Sequence, residues 1–192
     1  VGSVEVARAL SSAAGGPVAE GCVGGGTGMR AFQFKAGIGT SSRLIPAGDQ
    51  QADGAWHVGV LVQANFARRH QMLVNGVPVG QQIVDLLPER GTQTRVGDGN
   101  SLLIVIATNA PVLPVQLQRM CRRAALGMAR TGAVSTHGSG DLAIAFSTGN
   151  EAGPVAAESL QVLHSSRMSW LHSGVVEATQ EARETALVYL PF

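Results

Sequence analysis

The chain has 192 residues, 45% hydrophobic and 14% charged, with a formal net charge of +1. This suits a single domain, residues 1–192, with a sizeable core, and excludes a disordered or strongly solvated chain. No basic stripe or aromatic platform argues for nucleic acid, and no run approaches the roughly 18 apolar residues of a membrane helix.

Lys35 is the sole lysine, and the two cysteines, Cys22 and Cys121, form neither a disulfide framework nor a metal motif. Both are expected as small buried hydrophobes. The five histidines show no metal-ligand spacing, so neither metal nor cofactor is expected. The chain starts at Val1 and is expected to be N-terminally incomplete, so the lack of a visible leader carries no information. The compartment stays open, with the cytoplasm preferred over the periplasm.

In chain order, Val4 to Ala14 predicts a short helix capped by Ser3 and stopped by Gly15-Gly16. A glycine-rich loop follows from Gly21 to Met29. Three strands are then expected: Arg30 to Ala36, Ser42 to Ile45, and Trp56 to Asn65. The last is mostly apolar, as for a strand buried on both faces. Asn75-Gly76 is a hairpin-type turn signal. Asp85 to Asn100 contains Pro88, Gly91, Gly97 and Gly99 and reads as a mobile surface loop.

Leu102 to Thr108 predicts a central strand. Pro114 to Thr131 predicts a helix with Leu117, Met120, Cys121, Ala124, Ala125 and Met128 on one stripe. Leu142 to Ser147 predicts another buried strand, and Glu158 to Gln161 is ambiguous. Ser173 to Tyr189 predicts a closing helix with Val176, Thr179, Ala182 and Ala186 inward. Strands in the middle flanked by helices predict an α+β fold in which sheets are sandwiched between helices.

The junction Asn100-Ser101 stands out. A flexible polar loop ends there and a strand begins at the serine, so the hydroxyl lies beside the preceding carbonyl. Such a serine can attack the bond before it and be left with a free α-amine; loop-to-strand serines are also common without any chemistry. The run Gly24-Gly25-Gly26-Thr27-Gly28 lacks the Gly-Lys-Ser/Thr ending of a phosphate loop. It can be a tight turn that only glycine fits, or a wall of backbone amides beside a reacting carbonyl.

Asn65 closes its strand, where it can cap a turn or donate its side-chain N–H to an oxyanion. In His137-Gly138-Ser139-Gly140-Asp141, Ser139 and Asp141 are two apart, which in extended chain puts a hydroxyl and a carboxylate on one face. The alternative is a glycine loop with a self-bonding aspartate. His137 is not expected to be a catalytic base.

Taken together, several segments resemble one family, the autoprocessing aminopeptidases that include D-stereospecific aminopeptidase/amidase-esterases and β-peptidyl aminopeptidases. They are Ala13 to Gly21, Val23 to Met29, Phe34 to Arg43, Val60 to Asn65, Ser101 to Pro114, Gly138 to Asp141 into Ala145-Phe146-Ser147-Thr148, and Val175 to Ala182. The resemblance spans about Val4 to Ala182.

It implies a four-layer αββα sandwich of N-terminal-nucleophile-hydrolase type. It also implies self-cleavage between Asn100 and Ser101 into 1–100 and 101–192. Ser101 would be the nucleophile, Ser139 and Asp141 its assisting serine and acid, and Asn65 the oxyanion-hole asparagine. Gly25, Gly26, Thr27 and Gly28 would line the substrate. The expected activity is serine-type removal of N-terminal residues from small peptides, amides or esters through an acyl-enzyme, by an oligomer of processed heterodimers. An acyltransferase with the same nucleophile, or an unprocessed non-catalytic homologue, are the alternatives. Two departures stand against the family pattern. The family's segment before Val1, with its oxyanion-hole tyrosine, has no counterpart here, and the helix continuation after Ala182 differs.

Overall fold

The structure is a computed structural model that describes residues 2–46, 54–83, 101–150 and 159–187. The expected loop from Asp85 to Asn100 and the residue Glu158 lie outside these ranges. The elements are α1 (Ser3–Ser11), β1 (Arg30–Ala31), β2 (Phe34–Lys35), β3 (Ile38–Pro46), β4 (Ala55–Asn65), α2 (Val79–Gln82), β5 (Ser101–Thr108), α3 (Pro114–Arg130), β6 (Leu142–Ser147) and α4 (Met168–Thr185).

A four-stranded sheet of order β3-β4-β5-β6 forms the centre. The β3–β4 and β4–β5 pairs are antiparallel, and β5–β6 is parallel. Parallel neighbours need a crossover, which α3 supplies between β5 and β6. The Asn75-Gly76 signal holds: both residues have positive φ and Val74 bridges Val77.

One face of the sheet is sealed by α3 and α4. Val58, Val60, Val62 and Ala64 of β4 and Leu102, Ile104 and Ile106 of β5 are buried there against Met120, Ala124, Leu171, Val175 and Ala178. Full burial of each aliphatic side chain is worth about 1.5–3 kcal/mol. Close approach of helix to sheet depends on Gly39, where a Cβ would lie 1.9 Å from the Ala182 carbonyl oxygen.

The other face is open among the described residues. Leu44, Leu103, Leu142, Ile144 and Phe146 are exposed on it. The described residues therefore supply one helical layer and one sheet layer, and the four-layer expectation calls for a second sheet against this apolar face. An apolar surface of this kind ordinarily marks an interface. Correspondingly, β4 is not buried on both faces as expected: its burial alternates, with His57 exposed.

Other expectations need correction. The strand expected over Arg30 to Ala36 is a hairpin of β1 and β2, turned by Phe32 and Gln33 at φ of 53° and 63°. Helix α1 starts after Gly2, whose N–H donates to Glu5 Oε2 at 2.7 Å, so Ser3 is its first residue and not its cap. Ala125 is exposed, and the buried stripe of α3 runs through Gln116, Met120, Ala124, Gly127 and Met128. Helix α4 begins at Met168, five residues before the expected Ser173. Cys22 is exposed and Cys121 only partly buried. No helix among the described residues is long and apolar enough to cross a membrane.

Candidate active site

Ser101 is the first residue of β5 and lies directly opposite Asn65, the last residue of β4, in the antiparallel register. Directly opposed residues project to the same face, with Cβ atoms about 4.5–5.5 Å apart. That face is the open one, because the intervening Ala64 and Leu102 point into the helix-covered core. Asn65 Oδ1 accepts the Arg30 N–H at 3.2 Å.

The segment before β6 reaches the same end of the sheet. The Gly140 N–H donates to Ser101 Oγ at 3.3 Å. Asp141 Oδ1 accepts the Leu102 N–H at 3.0 Å, tying the acid to the peptide immediately after Ser101. Ser139 and Asp141 line one small cavity of about 10 Å³, with Phe66, Gln71, Met128 and Thr136 among its walls. The two-residue spacing thus brings both side chains to one place. Ser101 is not in that lining, so the backbone of Gly140 and the Asp141 carboxylate link it to the cavity.

The glycine-rich run is placed beside this end. Gly24–Gly26 form a 3-10 turn rather than opening a strand. A Cβ on Gly25 would sit 2.5 Å from Gln63 Oε1, and Gln63 shares the open face with Asn65. At Gly26, Gly21 O and Gly37 Cα lie 2.6 Å and 2.8 Å from a Cβ, so this glycine is required by backbone packing. Thr27 and Gly28 are exposed, and Gly28 has φ of +79°. His137 is exposed in the loop before Ser139. Among the described residues no three His, Cys, Asp or Glu side chains gather as a metal site.

One residue at this end escapes the sequence reading: Arg183 of α4. It is 1% exposed, donates to the Met128 carbonyl and stacks over Phe66 at 3.9 Å. Burial, partly offset by the charges of Asp141 and Glu184, brings its guanidinium down to about 9. It remains cationic at neutral pH. The available signal was its spacing: Arg183 follows Val175 and Thr179 at intervals of four, on the buried stripe.

A four-stranded mixed sheet backed by two helices defines an α+β architecture. The family model for peptidase family S58 matches residues 1–189. The chain is 47% identical over 194 residues to the β-peptidyl aminopeptidase BapA of Sphingosinicella xenopeptidilytica, covering 95% of this chain and 47% of that protein. For the β-peptidyl aminopeptidase BapA of Sphingosinicella microcystinivorans the figures are 44% over 197 residues, 94% and 48%.

Among solved structures, the L-aminopeptidase D-Ala-esterase/amidase of Ochrobactrum anthropi, described as a new variant among the Ntn hydrolase fold, matches with TM-score 0.84 and 36% identity. The match covers 95% of this chain and 48% of that one. A β-aminopeptidase of Burkholderia sp. matches with TM-score 0.80 and 39% identity, covering 97% and 51%. The chain belongs to peptidase family S58. Its α+β fold is of this Ntn-hydrolase variant, and it spans about half the length of the curated relatives it matches.

Proposed function

We propose that the protein is a self-processing serine aminopeptidase/amidase whose nucleophile is Ser101. The observation that carries this reading is the convergence on Ser101: Asn65 opposite it in register, the Gly140 N–H on its Oγ, and Asp141 on the next peptide N–H. Membership of the family, with β-peptidyl aminopeptidases and an aminopeptidase/amidase as relatives, supports the substrate class of small peptides, amides or esters.

In processing, Ser101 Oγ attacks the Asn100 carbonyl carbon and the peptide nitrogen leaves as the serine's own amine, giving an ester. Water then hydrolyses that ester, leaving an Asn100 carboxylate and a free α-amine on Ser101. In turnover, the amine takes the Oγ proton, as in other activated nucleophiles. Oγ attacks the substrate carbonyl, and the Asn65 –NH2 stabilises the oxyanion. One such donor is worth about 10²–10³ in kcat. The leaving amine departs with the proton, and water releases the acyl group.

Asp141 holds the strand start and orients the nucleophile; Ser139 lies beside it as a proton relay. The turn from Gly25 to Gly28 would carry substrate backbone past Gln63. The assembly into oligomers of processed heterodimers rests on the family resemblance alone.

The test is reaction of the full-length protein with a serine-directed acylating probe, followed by peptide mapping. Label on Ser101, lost in Ser101→Ala, is expected; label elsewhere, or none, rejects the reading. Product analysis with a competing amine separates hydrolysis from acyl transfer.

A further inference from the structure

Among the described residues, Arg183 is a fully buried cation at the Ser101 end of the sheet that the proposed chemistry leaves unused. Its visible partners are the Met128 carbonyl, one of the last in α3, and the ring of Phe66. A cation at a helix C-terminus is favourable in its own right, but that accounts for only part of the side chain. Nε and Nη2 are buried without a hydrogen-bond partner among the described residues, and so is Asp141 Oδ2. A buried ionised group without compensation is costly, so a buried guanidinium and a half-buried carboxylate with one buried oxygen are expected to offset each other.

The two groups share their surroundings. Asp141 lines its cavity together with Phe66 and Met128, the same two residues that Arg183 stacks on and donates to. The Asp141 charge is also felt at the guanidinium, where it opposes the effect of burial. The other cavity-lining residues carry no charge.

Few other charges compete for Asp141. Glu184 follows Arg183 and acts on it in the same sense as Asp141. Arg69 is committed to the carbonyls of Phe32, Gln33 and Ile83. His137 and Arg130 are exposed on the loop and helix end nearby. The α-amine of Ser101 joins them once the chain is cut.

We infer that Arg183 is a positioning residue: its buried guanidinium supplies the positive charge that keeps the Asp141 carboxylate aimed at the Leu102 N–H, and so holds Ser101 in place. This rests on the proposed role of Asp141. Arg183 touches no reacting atom; it acts through the acid from beneath the sheet.

The test uses the full-length protein with Arg183→Met, Arg183→Gln, Asp141→Asn and the double variant D141N/R183Q. R183Q keeps an N–H donor and removes the charge. In both Arg183 variants kcat is expected to fall about tenfold with KM little changed, and in the Asp141→Asn background the Arg183 change is expected to add little. Thermal melting is expected to be non-additive, with the double variant losing less than the sum of the singles.

An unchanged kcat, or additive melting losses, would overturn the inference and leave Arg183 a helix cap. Should the single Arg183 variants not fold, a folded D141N/R183Q supports the pairing and an unfolded one overturns it. The melting cycle needs no turnover. If Ser101 is inert, the proposed function fails in the acylation test while the melting cycle still decides the pairing.

Discussion

Asn65 and Ser101 are direct partners across the β4–β5 ladder, so a strand's last residue and its neighbour's first residue offer an amide and a hydroxyl to the same open face. The ladder fixes this arrangement. A slip of one residue in either strand would turn that strand's side chain into the helix-covered core. Replacing Asn65 by Ala is expected to lower kcat by about 10²–10³ with KM little changed. Steady-state kinetics of a processed sample check this; an unchanged kcat removes Asn65 from the oxyanion role.

Asp141 ties the start of β6 to the Leu102 peptide of β5. Asp141→Asn keeps an oxygen acceptor for that N–H and loses the charge. It is expected to slow both self-cleavage and turnover by about 10²-fold or more, the scale of an assisting acid or base. Asp141→Ala loses the acceptor as well and should be slower still. Time courses of chain cleavage, read by denaturing gel, distinguish the two.

Gly39 lets α4 lie against β3. A Cβ there would meet Ala182 O at 1.9 Å and Ala186 N at 2.5 Å, both backbone atoms of the helix end. Gly39→Ala is expected to destabilise by about 3 kcal/mol or more, since neither side can yield without moving a main chain. Chemical denaturation measures it; a loss below about 1 kcal/mol would mean that the two elements do not pack this closely.

Glu181 accepts from Ser41 Oγ at 2.6 Å and pairs with Arg43 at 2.6 Å. The Ser41 hydrogen bond first, and Arg43 second, lower its carboxyl below the ordinary 4.5. A carboxyl held lower in the folded state binds fewer protons there than when unfolded. Its contribution is therefore complete above about pH 4.5 and disappears as pH falls through the lower folded value. With the side chain 49% exposed, screening limits it to about 0–1 kcal/mol. Glu181→Gln should narrow the melting-temperature gap to wild type on acidification from pH 6 to pH 3; a gap that stays constant contradicts this.

Much of the scaffold was legible because local pattern and tertiary role agree. β5, β6 and α3 fall within a residue of the expected bounds, and Asn75-Gly76 turns as its composition demands. The β1–β2 hairpin was hidden because Phe32 and Gln33, not glycine or asparagine, take the positive φ. The expected helix from Ser173 already held Gly174 near its start, whereas α4 begins five residues earlier, at Met168. Gly174 thus lies deep in the helix, with Ile45 Cδ1 2.8 Å from where its Cβ would be.

At the site, the pairing of Asn65 with Ser101 could not be read from either residue, because register is a property of two strands. Arg183 was missed for a different reason: a charge on a helix is read as facing water, and this one faces aromatic rings and a helix end.

The most direct measurement is the intact mass of the purified full-length protein under denaturing conditions, beside that of Ser101→Ala. The account predicts two wild-type fragments that meet between Asn100 and Ser101, and one uncut chain for the variant. A wild-type chain that stays whole, or a Ser101→Ala chain that still divides there, would contradict Ser101 as the self-processing nucleophile.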